Sequence, residues 1–314
     1  MHLAPILIQV YTRKAHFINC VESLSQCNLA DKSHLFIVSD GPKIEKDRQA
    51  VEDIRKYCET IKGFAKIELL AWESNMGVLK SLIQAEQRIF SEYSSMIYTG
   101  DDNIFSPNFL EFLNSGLDYY KDNPHVFSIC GHKHPFKMPN GYPHDVFSST
   151  MMSAWGFGIW KDKYQSVDFY PKRLDVSKKQ FKKMSYTWQN LMLDIISNHK
   201  VYGDALMEYH CVKYHMVNIF PVISLVQNHG NDGSGMHCKV VSKYSTQEIC
   251  TEPKTFSFIN DLTICTIVEK RVVDAINFPF KSALRKFYLR PLRKIKYVLL
   301  NLIYRNNRIK LACN

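Results

Sequence analysis

Short apolar runs alternate with segments of helical spacing over the first 130 residues. The apolar runs predict strands at 4–11, 34–40, 66–72, 94–100 and 126–130. The helical spacing predicts helices at 15–27, 44–62 and 78–91, and a fourth that Ser106 and Pro107 open as cap and first turn. This alternation predicts an α/β fold with a mostly parallel sheet flanked by helices.

The pattern changes after residue 131. Residues 131–146 form a loop rich in Pro, Gly and His, and 153–160 combine aromatic residues with glycine. Helices are expected between about 161 and 199. Residues 218–238 run from an apolar stretch into a loop that contains Gly230, Gly233 and Gly235.

The composition is that of a globular protein with reduced thiols. The chain has 314 residues, of which 46% are apolar, enough for one large domain or two small ones. Its nine cysteines are scattered without a CxxC pair, which favours a cytosolic compartment over a disulfide framework or a zinc site. The first residues, "MHLAPILIQVYTRK", are interpreted as a strand and not as a signal peptide. The histidines at 132, 134, 144 and 237 show no regular metal-ligand spacing with one another or with Cys238.

The net charge of +10 is concentrated at the C-terminal end. Residues 270–314 carry +11, so the body of the chain is close to neutral, which argues against a nucleic-acid partner. Residues 280–310 interleave basic and apolar side chains, and their longest apolar-rich run is too short to span a bilayer. They predict amphipathic helices on an anionic membrane surface, or alternatively a surface helix packed on the domain.

Polar residues follow several predicted strands. Arg13, Asp40, Asn75 and the pair Asp101–Asp102 all come after a strand, and in such sheets ligands bind outside the carboxyl ends of the strands. Two adjacent carboxylates there can share a hard divalent cation, Mg²⁺ or Mn²⁺. A solvated Asx-turn is the alternative for this pair.

Several motifs in order carry a resemblance. They are "QVYTRKAHFINCVESLSQC", "LFIVSDGP", "WESNMGVLKSLI", "YTGDDNIFSPNFLEF" and "FPVISLVQNHGNDGSGMHC". Together they resemble bacterial GT-A glycosyltransferases of the family 2-like type, related to the N-acetylglucosaminyltransferase I type. The resemblance covers about residues 4–240. It implies an inverting transfer from a nucleotide-diphosphate sugar, with a Rossmann-like nucleotide-binding half.

The resemblance also implies roles for the donor-binding residues. Arg13 and Lys80 would lie near the diphosphate, and Asp40 would accept a hydrogen bond from the base. Asn75 and Gly77 would shape the turn that admits the nucleotide. For each of these the alternative is an ordinary loop or helix-start residue.

The carboxylate pair would be the metal motif of this family. Asp102 would be the direct ligand, and Asp101 would lie nearer the ribose or contribute to the metal site. The family usually has a Glu where this chain has Gly100, so the contact of that position with the donor sugar is in doubt. Trp155 would lie beneath the sugar pocket, or else belong to the core. Residues Gly233, Ser234 and Gly235 would belong to a loop that closes over the donor.

The acceptor half should hold a carboxylate general base. By position, "VYGDALMEY" matches the family segment with that acid, which makes Asp204 the candidate and Glu208, one helical turn on, the second choice. Asp204 could instead cap a helix after Gly203.

We therefore expect a glycosyltransferase, a hexosyl- or N-acetylhexosaminyltransferase of bacterial surface polysaccharide or lipopolysaccharide synthesis, on the cytoplasmic face of the membrane. A UDP-sugar donor and a glycan or lipid-linked acceptor are its expected substrates. Residues 1–240 would form the transferase domain, divided at 130/131 into a nucleotide-sugar half and an acceptor half, and 241–314 a C-terminal extension. A sugar nucleotidyltransferase and a catalytically degenerate binding module remain the alternatives.

Overall fold

The computed structural model describes residues 3–171, 174–182, 184–198, 201–234 and 242–277. Its strands are β1 (Ile6–Val10), β2 (His34–Ser39), β3 (Lys66–Ala71), β4 (Ser95–Gly100), β5 (Asn103–Phe105), β6 (Val126–Cys130), β7 (Val146–Ser149), β8 (Phe157–Trp160), β9 (Val217–Pro221) and β10 (Val226–Asn228). Its helices are α1 (Lys14–Ser25), α2 (Arg48–Cys58), α3 (Val78–Phe90), α4 (Phe109–Tyr119), α5 (Lys161–Gln165), α6 (Lys178–Phe181), α7 (Tyr186–Asn198), α8 (Gly203–Tyr214) and α9 (Thr266–Ile276).

Eight strands form one sheet in the order β3-β2-β1-β4-β8-β6-β9-β7. The strands β3, β2, β1, β4, β6 and β9 run in one direction, and β8 and β7 run against them. The predicted α/β fold with a mostly parallel sheet is confirmed. The short strands β5 and β10 pair antiparallel in a second sheet, whose register aligns Asn103 with Asn228.

The sheet is covered on both faces because side chains alternate along each strand. In β1, Ile6, Ile8 and Val10 pack with α1, α2 and α4, whereas Leu7 joins the opposite core with α3, α7, α8 and α9. Strands buried on both faces carry near-continuous apolar sequence, which is why these runs were recognisable as strands.

Two predicted boundaries differ from the structure. The helix expected at 44–62 is limited to α2, because Glu45–Asp47 form a 3₁₀ turn before it. The prediction that Ser106 and Pro107 open the next helix is wrong, since α4 starts at Phe109 with Asn108 in the cap position. Ser106 instead follows β5 and uses its hydroxyl to accept from the Asn108 N–H (3.1 Å) and to donate to the Cys250 carbonyl.

Residues beyond the predicted boundary at 240 contact the same cores. Val268 and Val272 of α9 are buried with Leu7, and Glu269 accepts hydrogen bonds from the hydroxyls of Ser149 and Thr150 at 2.5 Å each. The predicted division at 240/241 stays a prediction. The basic amphipathic segment lies outside the described residues, which end at 277.

Two further sequence expectations bear on the described chain. The cysteines within it are all free, as predicted: Cys20, Cys27, Cys58, Cys130, Cys211, Cys250 and Cys265. In the ranges that the structure describes, no helix combines the length and apolarity that a membrane span requires.

Candidate active site

The structure brings together Arg13, Asp101 and Asp102. Arg13 follows β1, and the two aspartates follow β4, its neighbour in the sheet. A single guanidinium nitrogen, Nη2 of Arg13, donates to Oδ1 of Asp101 and to Oδ2 of Asp102, the latter at 2.8 Å. The two carboxylates therefore direct oxygen atoms toward one shared point at the carboxyl edge of the sheet.

Burial sets the electrostatics of this group. Burial raises the pKa of Asp101 to about 6. The neighbouring charge of Asp102 also raises this pKa, whereas the charge of Arg13 lowers it. Burial alone lowers the pKa of Arg13, but the two carboxylates outweigh it and the net pKa of Arg13 is raised. A cation is thus strongly favoured between Asp101 and Asp102.

A segment from the far end of the chain covers the pair. Strand β10 pairs with β5, which follows the aspartates, and this places Asn228 Nδ2 2.9 Å from Asp102 Oδ1. The His229 N–H donates to the Asp102 carbonyl at 2.8 Å. Gly230 lies so close that an added Cβ would be 1.9 Å from Asp102 Oδ2. Sequence reasoning included Gly230 among the glycines of the predicted donor-closing loop, but it gave Asn228 and His229 no role of their own.

Asp40, after β2, organises a neighbouring turn. Its Oδ1 accepts from the backbone N–H of Gly41 and Met76, each at 2.9 Å. Its Oδ2 accepts from Asn75 Nδ2 (3.1 Å) and from the Gly77 N–H (2.9 Å). These four bonds use the acceptor capacity of a carboxylate. The expected bond from a nucleotide base to Asp40 stays a prediction, and it would have to replace one of them.

The turn at 75–77 leads into α3. Gly77 has φ +79° in the cap position, a conformation that a side chain would strain. Lys80, in the first turn of α3, is exposed. Because β2 and β4 both neighbour β1 in the sheet, the turn held by Asp40 and the Asp101–Asp102 pair lie about 10 Å apart at the same edge.

The two carboxylate candidates of the acceptor half differ in exposure. Asp204 is half-buried in the first turn of α8, where its Oδ1 accepts from the Ala205 N–H at 2.9 Å. It does not cap the helix, because Tyr202 holds that position. Glu208 is fully buried, and burial raises its pKa well above the ordinary value. Asp101, Asp102 and Asp204 all raise the pKa of Tyr98, so Tyr98 lies within electrostatic reach of all three.

Trp155 lies just before β8, at the same edge of the sheet. Its ring packs 4.7 Å from that of His132 and 4.8 Å from that of Tyr244, measured between ring centroids. Gly156, with φ +86°, follows it and accepts the N–H of Gly131 at 2.8 Å. The indole is half-buried, so one part of it faces solvent.

The glycine loop begins next to α1. Asp232 Oδ2 lies 3.1 Å from His16 Nε2, and Asp232 Oδ1 accepts from the Ser234 N–H and hydroxyl at 2.9 and 2.6 Å. Gly233 has φ +96°, which a glycine supplies without strain. The third predicted residue of this loop, Gly235, lies outside the described residues, as do His237 and Cys238.

Gly100 ends β4 directly before the carboxylates. A Cβ there would lie 3.3 Å from Asp102 Oδ1, a tight contact that a few tenths of an ångström would relieve. A side chain at this position would therefore border the Asp102 carboxylate.

The carboxylate pair fits a divalent metal. Both aspartates already place an oxygen within hydrogen-bond distance of one nitrogen cation, and Mg²⁺ and Mn²⁺ prefer oxygen ligands. In the part of the chain that the structure describes, no three His, Cys, Asp or Glu side chains form a metal-ligand group. Asp101 and Asp102 would therefore hold the metal together with a bound diphosphate, and Arg13 would yield at least one of its two contacts.

Comparisons with known proteins give structural similarity only. No protein-family model matches the sequence, and no curated protein does. The chain is similar to GalNAc-T7 solved with UDP, GalNAc and Mn²⁺ (9% identity, 72% of this chain, 44% of that chain, TM-score 0.44). It is also similar to the mannosyltransferase PcManGT from Pyrobaculum calidifontis in complex with GDP-Man and Mn²⁺ (10% identity, 51% and 44% coverage, TM-score 0.35). A third match is residues 1–349 of S. aureus TarS (13% identity, 60% and 55% coverage, TM-score 0.38).

These matches are partial. The chain spans 44% to 55% of the length of these three structures. All TM-scores are 0.44 or lower, so the similarities carry no argument about activity, and the interpretation of the site rests on its own geometry.

Proposed function

We propose that this chain is a metal-dependent, inverting GT-A glycosyltransferase that uses a nucleotide-diphosphate sugar, with UDP as the nucleotide. The observation that carries the proposal is the convergence of the Asp101 and Asp102 oxygens on one cation position. This position lies beside the turn held by Asp40 and beneath the segment around Gly230. A diphosphate needs such an arrangement, because its negative charge must be balanced by a cation next to the place where the nucleotide binds.

The carboxylate pair and Arg13 would act on the leaving diphosphate. A metal held by Asp101 and Asp102 would offset the negative charge that grows on the diphosphate as the bond to the anomeric carbon breaks. Arg13 shares its position with that metal, and once released from Asp102 its guanidinium can reach a phosphate oxygen. A group that donates a proton to the leaving diphosphate is then unnecessary.

Asp204 would be the general base. An acceptor hydroxyl attacks the anomeric carbon from the face opposite the diphosphate, and its proton passes to a carboxylate within hydrogen-bond reach. Asp204 is half-buried and would be open to a bound acceptor, whereas Glu208 is fully buried with a pKa raised well above its ordinary value. Because Glu208 is fully buried, we assign the base to Asp204 and keep Glu208 as a structural residue.

We further propose a hexosyl or N-acetylhexosaminyl donor and a glycan or lipid-linked acceptor, as in bacterial polysaccharide or lipopolysaccharide synthesis. The support is the motif resemblance and the basic, amphipathic sequence of 280–310, which suits an anionic membrane surface. Flotation on anionic vesicles, with and without residues 280–314, tests the membrane part. Equal flotation of both proteins would contradict it.

The test of the function is a screen of UDP-, GDP- and dTDP-sugars for hydrolysis and transfer, with Mn²⁺, Mg²⁺ or EDTA. We expect turnover of a UDP-sugar that needs the metal, and loss of both metal dependence and turnover in Asp102→Asn. Asp204→Asn should keep donor binding but lower transfer by a factor of about 10²–10⁴. Nucleotide binding without turnover of any donor would instead identify a binding module. Pyrophosphate release from a nucleoside triphosphate and a sugar phosphate would identify a nucleotidyltransferase.

A further inference from the structure

Four rings pack together beyond the carboxyl end of β6. We name His132, His134, Trp155 and Tyr244 the histidine cluster. The ring centroids of His132 and His134 are 5.0 Å apart at an interplanar angle of 85°, and Trp155 packs against His132 and Tyr244. These residues come from three separate segments, and none of them has a part in the catalytic roles assigned above, apart from Trp155 as a candidate sugar platform.

Three ring nitrogens of this cluster have no hydrogen-bond partner in the described chain. They are Nε2 of His132 and both nitrogens of His134, whose side chains are at least nine-tenths buried. The Met152 backbone lies close enough to His134 to raise the pKa of His134, but it does not meet hydrogen-bond geometry. His132 does bond through Nδ1 to the Ser153 hydroxyl at 2.8 Å. Gln247 Oε1 is also without a partner, and it faces His132 closely enough to raise its pKa without meeting hydrogen-bond geometry. Buried polar atoms are seldom left in this state, so the cluster has unused capacity for a ligand.

Two lysines make the surroundings of the cluster positive. Lys133 is 8% exposed, and its ammonium donates to the carbonyls of His134 and Phe136 at 3.4 and 2.5 Å. Lys243 donates to the Ala275 carbonyl at 3.1 Å and lies 4.5 Å over the Tyr244 ring. The charges of both lysines act on both histidines and, after burial itself, lower their pKa values. The acidic group that acts on Lys133 is Glu248, which is exposed.

The histidine cluster is connected to the catalytic carboxylates. Gln247 Nε2 donates to the carbonyls of Val226 (3.0 Å) and Lys133 (3.2 Å), which fixes the cluster beside the first residue of β10. Two residues further along β10, Asn228 bonds to Asp102. Two residues of strand span about 7 Å, so the Val226 carbonyl that holds Gln247 lies about that distance along β10 from Asn228, which bonds to Asp102.

We propose that the histidine cluster, together with Lys133 and Lys243, binds an anionic group of the acceptor, a carboxylate or a phosphate. The proposal rests on the glycosyltransferase function proposed above and specifies its acceptor. An oxyanion accepts hydrogen bonds from imidazole N–H groups and is attracted by the two ammonium charges. A divalent metal is disfavoured at the same place, because it would meet both ammonium groups and, among the described side chains, finds no third His, Cys, Asp or Glu ligand.

The histidine rings themselves report on binding. In ¹⁵N-labelled full-length protein, the imidazole resonances of His132 and His134 are followed during titration with glucuronate, with glucose 6-phosphate and with glucose, at constant ionic strength. We expect both anions to shift these resonances and glucose to leave them unchanged. The anion with the lower Kd identifies the acceptor group as a carboxylate or a phosphate. Equal shifts with glucose, or none with either anion, would overturn the proposal.

Lysine variants test the charge argument. Lys243→Met and Lys133→Met should each raise the Kd of the better anion about tenfold, since a hydrogen bond to a charged group is lost. Lys121→Met is the matched control, because Lys121 is exposed and pairs with Asp118 at 3.4 Å on α4. Circular dichroism melts verify that each variant is folded. An unchanged Kd in both lysine variants would exclude the histidine cluster as the binding site. If Zn²⁺ alone shifts the imidazole resonances of His132 and His134 and blocks anion binding, the cluster is a metal site and the proposal is wrong.

Donor binding distinguishes an error in the acceptor proposal from an error in the proposed glycosyltransferase function. Calorimetry of UDP with Mn²⁺ measures the donor site, which Lys243→Met should leave unchanged and Asp102→Asn should abolish. If donor binding and turnover follow this pattern while neither anion shifts the histidines, the acceptor proposal alone is wrong. If the anions bind but no donor is turned over, the cluster is no acceptor site and the proposed function falls with it.

Discussion

Gly230 offers the sharpest test of the site geometry, because replacing it by Ala directs a methyl group at Asp102. The added Cβ would lie 1.9 Å from Asp102 Oδ2 and 2.7 Å from its Cγ, whereas ordinary contact begins at 3.4 Å. Relief requires a movement of about 1.5 Å, shared between the Asp102 side chain and the backbone at 230. Asn228 and Arg13 both hold the Asp102 carboxylate, so this carboxylate cannot move without losing one of the two hydrogen bonds.

The expected cost has two parts. Overpacking of this kind lowers the free energy of unfolding by about 1–3 kcal/mol. Displacement of a catalytic group by about 1 Å costs on the order of 100-fold in rate. We therefore expect Gly230→Ala to remain folded, with turnover of the donor reduced about 100-fold and with Mn²⁺ affinity weakened, measured by steady-state kinetics and by Mn²⁺ electron paramagnetic resonance.

Gly141→Ala is the matched control. Gly141 has φ +71°, so Ala is strained there by about 1–2 kcal/mol, but nothing lies within 4 Å of the added Cβ. Both variants should lose similar stability, and only Gly230→Ala should lose activity. If Gly230→Ala turned over donor within twofold of the wild type, the close approach of residue 230 to Asp102 would be wrong.

Three further predictions concern neighbouring positions. Gly100→Ala also adds a Cβ near Asp102, but at 3.3 Å, so turnover should fall less than tenfold, and a loss as large as that of Gly230→Ala would contradict the difference in contact distance. Asp40→Asn leaves two of four N–H donors unpaired, which should lower the free energy of unfolding by about 2–4 kcal/mol in urea denaturation and weaken UDP binding in calorimetry. Burial raises the pKa of the Glu86 carboxyl to about 8, although a hydrogen bond from the Tyr164 hydroxyl lowers it. The stability that the neutral Glu86 carboxyl contributes is therefore complete below pH 4.5 and is lost as the pH rises through 8. Glu86→Gln cannot ionise, and its stability relative to the wild type should increase from pH 5 to pH 9 by about 4 kcal/mol; a constant difference in denaturation experiments would refute this pKa.

The sequence predicted five of the eight strands of the main sheet but not β7, β8 or β9. Strands β1, β2 and β6 are near-continuous apolar runs, whereas the edge strand β3 carries charged residues and is only partly buried. All five predicted strands were located within about two residues. The three-residue strands β5 and β10 were missed, because neither has enough length for a pattern and each is held by pairing with the other. Local sequence also could not show that α4 starts at Phe109, since its start depends on Asn108 and Ser106 bonding to a segment 142–146 residues away.

The candidate site was predictable where side chains follow strands. Arg13 and the two aspartates meet as the topology of parallel strands requires. Asn228 and Gly230 carried no such signal, because their partner Asp102 is 126 residues earlier in the chain. Asp40 was placed at the correct edge, but its partners are backbone N–H groups, which no residue pattern reveals. His132 and His134 show no regular metal-ligand spacing in the sequence, and only the fold brings them together with Tyr244.

The small β5–β10 sheet has a consequence for how the protein is made. Residues 3–105 contain β1 to β5 and both aspartates, and they leave the ribosome long before Asn228 and Gly230. Contacts across such a separation form late, since a long loop must close first. The nascent chain therefore carries Asp101 and Asp102 uncovered, and the complete carboxylate site exists only after residues 106–228 have been translated and β10 has docked.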